Sequence, residues 1–185
     1  MPSALIIGTK GSEDIELVAT SDILRRAKVD VTVVSLDNTE TIVCGQKTEI
    51  KVDGKIKDVV GKLYDAVILP GGPGCGVYND CPVVGDILKH HQKEGKIIGA
   101  ICAASLALAR HKIAPNATLT SYPSVEKEIR ELGYKYDSTK SVLVDGKIVT
   151  SRGPATAIEF GLKLAELLVD KDTRDKLAKG TLFEQ

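Results

Sequence analysis

The sequence predicts an α/β protein in which a mostly parallel sheet is covered by helices on both faces. Four short runs are nearly all apolar and rich in β-branched residues: 4–7, 29–34, 65–69 and 96–101. Such runs are the mark of strands buried on both sides. Amphipathic helical stretches lie between them, and strand alternating with helix is the pattern of a doubly wound sandwich.

Taken in order, the strand at 4–7 leads into a helix from Ser12 to Lys28. Ser12 is placed to cap it, and Ile15, Ala19, Ile23 and Ala27 fall on one stripe. The second strand, 29–34, is followed by a β-like stretch, Thr48 to Val52, and a turn at Asp53-Gly54. The third strand, 65–69, runs straight into Leu69-Pro-Gly-Gly-Pro-Gly74. Pro82 opens a helix that closes before Gly95. The fourth strand, 96–101, passes directly into a helix from Ala103 to Arg110. Residues 142–150 alternate around Asp145-Gly146, the signal of a hairpin with a type I′ turn. Pro154 starts a helix to about Val169, and 171–179 reads as a short final one. No linker, repeat or low-complexity tract interrupts the chain, so residues 1–185 are expected to form one domain.

The chain has 185 residues, with 25 Lys plus Arg against 25 Asp plus Glu, and is 43% hydrophobic. A chain of this length buries roughly 70% of its unfolded surface, enough for a core without disulfides or structural metal. Zero formal charge argues against a broad basic surface, so nucleic acid and anionic membrane are not expected partners. The apolar content excludes wholesale disorder. The longest nearly apolar run, Ile97 to Ala109, falls short of the ~20 residues that span a bilayer. The opening MPSALIIG lacks the basic segment and cleavage site of a secretory leader. The four cysteines are too few for a disulfide scaffold and form no CxxC, so free thiols in a reducing compartment are expected, with no zinc site.

One of those thiols stands at a special place. Gly99-Ala-Ile-Cys102-Ala-Ala-Ser105 sets Cys102 where a buried strand turns into a helix. A nucleophile at such an elbow sits on strained backbone and tolerates only small neighbours, a demand that Ala100 and Ala104 meet. The first amides of the following helix favour thiolate over thiol. The other reading of Cys102 is a small buried hydrophobe. The glycine loop 69–74 ends a strand at the same sheet edge, where open α/β sheets build their sites. Gly71 and Gly72 can aim amides at an anion there, or simply make a turn. Glu16 shares its helix stripe with Ala19, Thr20, Ile23 and Ala27. Facing the sheet, its carboxyl needs a partner and gains proton affinity; facing solvent, it is an ordinary first-turn glutamate.

Five ordered segments, SEDIELV (12–18), ILRRAKVDVTV (23–33), LPGGPG (69–74), IGAICAAS (98–105) and TSRGP (150–154), together resemble the DJ-one/PfpI superfamily, specifically its DJ-one branch. The resemblance runs from Ala4 to about Lys179. It implies a flavodoxin-like three-layer sandwich and a homodimer. It implies that Cys102 is the nucleophile and peroxide-sensitive thiol, with Glu16 its protonated partner. Gly72 and Ala103 would offer amides to an oxyanion or an oxidised sulfur. The implied activities are cofactor-independent conversion of methylglyoxal to lactate and deglycase repair of early glyoxal adducts. Redox sensing and chaperone-like protection belong to the same family, in cytoplasm, nucleus and mitochondrion. The implied ligands are small dicarbonyls or peroxide.

One position departs from the family pattern. Tyr122, in Thr120-Ser-Tyr-Pro-Ser124, stands where many members carry a histidine. A phenol titrating near ~10 is a poor base at neutral pH, which disfavours a Cys–His protease and leaves Glu16 as the proton shuttle. His90, His91 and His111 read as surface residues. Arg152 is either a substrate-side or interface residue within TSRGP, or a solvated cation. Cys44 reads as a packed small residue that in the family lies near the dimer interface. Cys75 and Cys81 have no assigned role, although Cys75 is placed where a resolving thiol for oxidised Cys102 is one reading.

Overall fold

The computed structural model describes residues 1–183. In its first half, β1 (Ser3–Gly8), α1 (Asp14–Arg26) and β2 (Asp30–Ser35) are followed by the short strands β3 (Thr41–Val43), β4 (Glu49–Lys51) and β5 (Gly54–Lys55). Then come β6 (Ala66–Leu69), α2 (Pro82–Lys93), β7 (Ile97–Ile101) and α3 (Ser105–Arg110). Beyond these lie β8 (Thr118–Leu119), α4 (Glu126–Glu131), β9 (Lys135–Tyr136), β10 (Val142–Asp145), β11 (Ile148–Ser151), α5 (Ala157–Leu168) and α6 (Lys171–Gly180). The seven-stranded sheet has the order β10-β11-β7-β6-β1-β2-β5. All its pairings are parallel except that of β10 with β11.

Alternation along each strand sorts the side chains into two cores. Leu5, Ile7, Val67, Leu69, Ile98 and Ala100 point to one face, against Val84 and Leu88 of α2, Leu106 of α3 and Ile129 of α4. Ala4, Ile6, Ala66, Ile68, Ile97 and Ile101 point to the other, against Leu17 and Leu24 of α1 and Phe160 and Leu164 of α5. Each fully buried Leu, Ile or Phe contributes ~1.5–3 kcal/mol, so both layers hold the sheet from either side. This is the three-layer, mostly parallel sandwich that the strand–helix alternation predicts. No helix among the described residues is long and apolar enough to cross a membrane.

Several local expectations are corrected. Helix α1 is capped by Glu13, whose side chain accepts the Glu16 amide; Ser12 instead accepts the Thr9 amide through Oγ. Ile15 is 55% exposed, because the inward face of α1 is formed by Glu16, Leu17, Thr20, Ser21, Ile23 and Leu24. In the β10–β11 hairpin Asp145 stays paired with Ile148, so the loop is Gly146-Lys147. Only Gly146 has positive φ, at 60°, which is the II′ rather than the I′ pattern. At Asp53-Gly54 the chain does not fold back. Gly54 joins the sheet beside Val34, and Asp53 accepts the Val33 amide through Oδ2. His91 is fully buried and His111 partly so, against the expectation of surface positions. The ring nitrogens explain it: His91 Nδ1 meets the Ile87 carbonyl at 2.8 Å and Nε2 accepts the Tyr64 amide at 3.1 Å. His111 Nε2 meets the Tyr78 carbonyl at 2.7 Å. Buried polar groups paired in this way carry little burial cost.

Candidate active site

Three chain segments meet beyond the carboxyl ends of β1, β6 and β7. The first is the loop into α1, the second the glycine loop after β6, and the third the 3₁₀ turn Cys102–Ala104 after β7. Cys102 has φ 64°, a left-handed conformation that a residue with a Cβ adopts at a cost of ~1–3 kcal/mol. The strain is held by its setting: Ile101 before it and Ala104 after it are fully buried, and Cys102 itself is 7% exposed. The elbow read from the small neighbours of Cys102 is therefore present in the backbone.

Glu16 is fully buried on the face of α1 that meets this edge. Its Oε2 accepts the Gly71 amide at 2.8 Å. Gly71 is where the absence of a side chain matters: a Cβ there would stand 2.6 Å from Cys102 Cβ and 2.8 Å from Glu16 Oε2. Only a glycine lets carboxyl and thiol share this space. Gly72, with φ 105°, then turns the loop so that an added Cβ would stand 2.3 Å from the Glu13 nitrogen. The Gly71 amide is thus committed to Glu16, while the Gly72 and Ala103 amides act on the Cys102 sulfur.

Burial raises the Glu16 carboxyl to about 7, against the opposing pull of the Gly71 amide. Burial also pushes the Cys102 thiol up, to about 12, with the Glu16 carboxylate adding to the rise and the Ala103 and Gly72 amides opposing it. The helix amides expected to favour a thiolate are present, and desolvation and the neighbouring Glu16 charge oppose them. Glu16 Oε1 is a buried oxygen without a well-formed hydrogen bond. Cys102 nevertheless acts on the carboxyl, lowering its proton affinity and so favouring the ionised form. The two groups therefore titrate as a pair. Burial holds the proton on both groups beyond their ordinary ranges, and the carboxyl gives up its proton before the thiol.

The remaining residues singled out in the sequence are not all drawn into this centre. Tyr122 is 47% exposed and lies at its rim, before a 3₁₀ turn, Pro123–Val125, that packs on the Cys102–Ala104 turn. Its ring rests against Gly153, and it is not among the groups acting on Cys102 or Glu16. Arg152 is half-buried and donates from Nη1 to the Ser138 carbonyl at 2.5 Å, which turns its guanidinium to the 137–141 loop. Cys44 is buried, and desolvation pushes its thiol up to about 11. Cys75 is 5% exposed and packs in the other core layer from Cys102; burial, then Glu16, raise its thiol to about 11. Sequence reasoning missed Glu13. The only signal was its place three residues before Glu16, hidden between two better capping residues.

A doubly wound sandwich with a cysteine on a left-handed elbow, a buried carboxyl beside it and a glycine loop between them defines a class of cysteine-elbow α/β proteins. Comparison then places the chain within that class: it belongs to the DJ-1/PfpI family, which matches residues 2–167. It is 41% identical over 181 residues to protein dj-1beta of Drosophila melanogaster, covering 97% of this chain and 96% of that one. It is 38% identical to the glutathione-independent glyoxalase DJR-1.2 of Caenorhabditis elegans, covering 96% and 94%. The crystal structure of Drosophila DJ-1beta superposes with a TM-score of 0.94 over 98% of this chain and 97% of that one. A structure of oxidised Toxoplasma gondii DJ-1, 34% identical, superposes at 0.92 with 98% of each chain covered.

Proposed function

We propose that the protein is a cofactor-independent cysteine enzyme that converts reactive dicarbonyls, methylglyoxal above all, to hydroxy acids such as lactate. The observation that carries the reading is the buried Glu16 carboxyl set beside the Cys102 elbow, where the Gly72 and Ala103 amides act on the same sulfur. Sγ of Cys102 adds to the aldehyde carbon, and its proton passes to the new oxygen by way of Glu16, giving a hemithioacetal. Glu16 then removes the hydrogen from that carbon and returns a proton to the neighbouring ketone carbon, leaving a thioester of lactate. The Gly72 and Ala103 amides stabilise the oxyanion at each stage. Water cleaves the thioester, so methylglyoxal plus water becomes lactate and the thiol is restored. The relative named as a glutathione-independent glyoxalase supports this chemistry for the fold. Deglycase action on early glyoxal adducts would use the same attack and release.

A lactate assay on wild type beside Cys102→Ser and Glu16→Gln tests the proposal. The serine variant, whose hydroxyl is a far weaker nucleophile than a thiol that hands its proton to Glu16, is expected to lose turnover by at least ~10³-fold while unfolding as wild type does. Turnover retained in Cys102→Ser would falsify the nucleophile assignment. A redox-sensing role is favoured by the same amides, which suit a sulfinate as well as an oxyanion, and by the oxidised relative. Peroxide-dependent change in binding with negligible dicarbonyl turnover would select it. The homodimer implied by resemblance would cover Ile15 and Val18 on α1 and Ile158 on α5, all exposed in the single chain; sedimentation at micromolar concentration tests it.

A further inference from the structure

We propose that Glu13 is a positioning residue for the Glu16–Cys102 pair, fixing the Glu16 carboxyl against the glycine loop through a closed ring of three hydrogen bonds. The ring is explicit. The Glu13 amide donates to the Gly71 carbonyl at 2.8 Å, the Gly71 amide donates to Glu16 Oε2 at 2.8 Å, and the Glu16 amide donates to Glu13 Oε2 at 2.7 Å. Each bond constrains the next, so the start of α1, the loop and the buried carboxyl form one rigid unit.

The choice of capping residue points the same way. Serine and aspartate are stronger N-caps than glutamate, and both flank Glu13. Neither is used. Ser12 Oγ takes the Thr9 amide at 3.0 Å, and the Asp14 carboxylate takes the amides of Gln46 and Thr48 at 2.8 and 3.1 Å. The helix therefore begins on a residue that propensity ranks below its neighbours, a local departure of the kind that collects at functional sites. The charge of Glu13 also contributes, after burial, to the raised proton affinity of Glu16. The other ionisable groups facing this unit are Cys75 and Tyr78 from the turn after the glycine loop, Cys44 from the β3–β4 hairpin, and Asp14 on α1.

This inference rests on Glu16 and Cys102 being the working pair, and its test does not need turnover. Cys102 alkylation by iodoacetamide, followed by peptide mass spectrometry from pH 5.5 to 9 in the full chain, reads the pair directly. Glu13→Gln keeps an acceptor for the Glu16 amide and removes the charge. Its profile is expected to move to lower pH, raising the rate at pH 6 by about two- to threefold. Glu13→Asp keeps both cap and charge and is expected to follow wild type. Glu13→Ala loses both and is expected to slow alkylation near neutrality as the Glu16 carboxyl leaves its place. A Glu13→Ala profile that superimposes on wild type overturns the proposal and leaves Glu13 a helix cap alone. A wild-type profile with no step near 7 overturns it differently, by removing the pair itself.

Discussion

Replacing Glu16 with glutamine should make the protein more stable and less reactive, and the gain should depend on pH in a defined direction. The wild-type carboxyl titrates at about 7 in the folded chain against 4.5 for an ordinary glutamate. A group raised on folding contributes stability in full below its unfolded value and loses it as pH rises through the folded one. The window is therefore 4.5 to about 7. Its depth is the difference of about 2.5 units at 1.36 kcal/mol each, or about 3 kcal/mol by pH 8. Glutamine keeps an acceptor for the Gly71 amide and cannot ionise, so it escapes this loss. For a domain of this size that corresponds to a rise in melting temperature of roughly 6–12 °C at pH 8, shrinking toward zero near pH 4.5. Calorimetric scans of both proteins across pH 4.5–8.5 measure it. The same variant should lose the step near 7 in Cys102 alkylation, because nothing is left to take up the thiol proton. A difference in melting temperature that stays flat across pH, or an alkylation step that persists in Glu16→Gln, would refute the account of the pair.

Two further perturbations probe the frame around that pair. Gly71→Ala places a Cβ 2.6 Å from Cys102 Cβ; the backbone must yield, costing ~1–3 kcal/mol in denaturant titration and abolishing the step near 7. His91 is held neutral by burial, which lowers its proton affinity below 6.5. A lowered histidine gives stability that is present above 6.5 and lost as pH falls below it. The stability advantage of wild type over His91→Gln should therefore shrink between pH 7.5 and 5.5; an advantage independent of pH would show that the ring is retained for packing alone.

Much of the frame was legible because strand burial writes itself into composition. Ala4-Leu-Ile-Ile7 and Asp65-Ala-Val-Ile-Leu69 leave little choice but central strands, since both faces of each must be covered. Residues that depend on partners far away in sequence were less legible. The turn of β10–β11 shifted by one residue because Asp145 is needed for pairing with Ile148 and for accepting the Thr118 amide at 2.7 Å. The two-residue strands β8 and β9 have too few positions to show alternation. Ser12 looked like the helix cap until the Thr9 amide claimed its hydroxyl. His91 looked exposed because its two partners, the Ile87 carbonyl and the Tyr64 amide, leave no trace in local pattern.

The state of the thiol shows most clearly what sequence alone could not decide. Position at the start of a helix argues for thiolate, and that argument is sound as far as it goes: the Ala103 and Gly72 amides do favour the charged sulfur. Helix α3 is short, however, and Cys102 and Glu16 are both buried with no cation acting on either. Two adjacent acids in such a place cannot both ionise at neutral pH, and the cheaper first loss falls on the carboxyl. Burial therefore favours a protonated thiol next to a carboxyl that ionises first. A free thiolate would react with any electrophile that reached the surface. A thiol whose proton is taken up by Glu16 should favour electrophiles placed so that this proton can move.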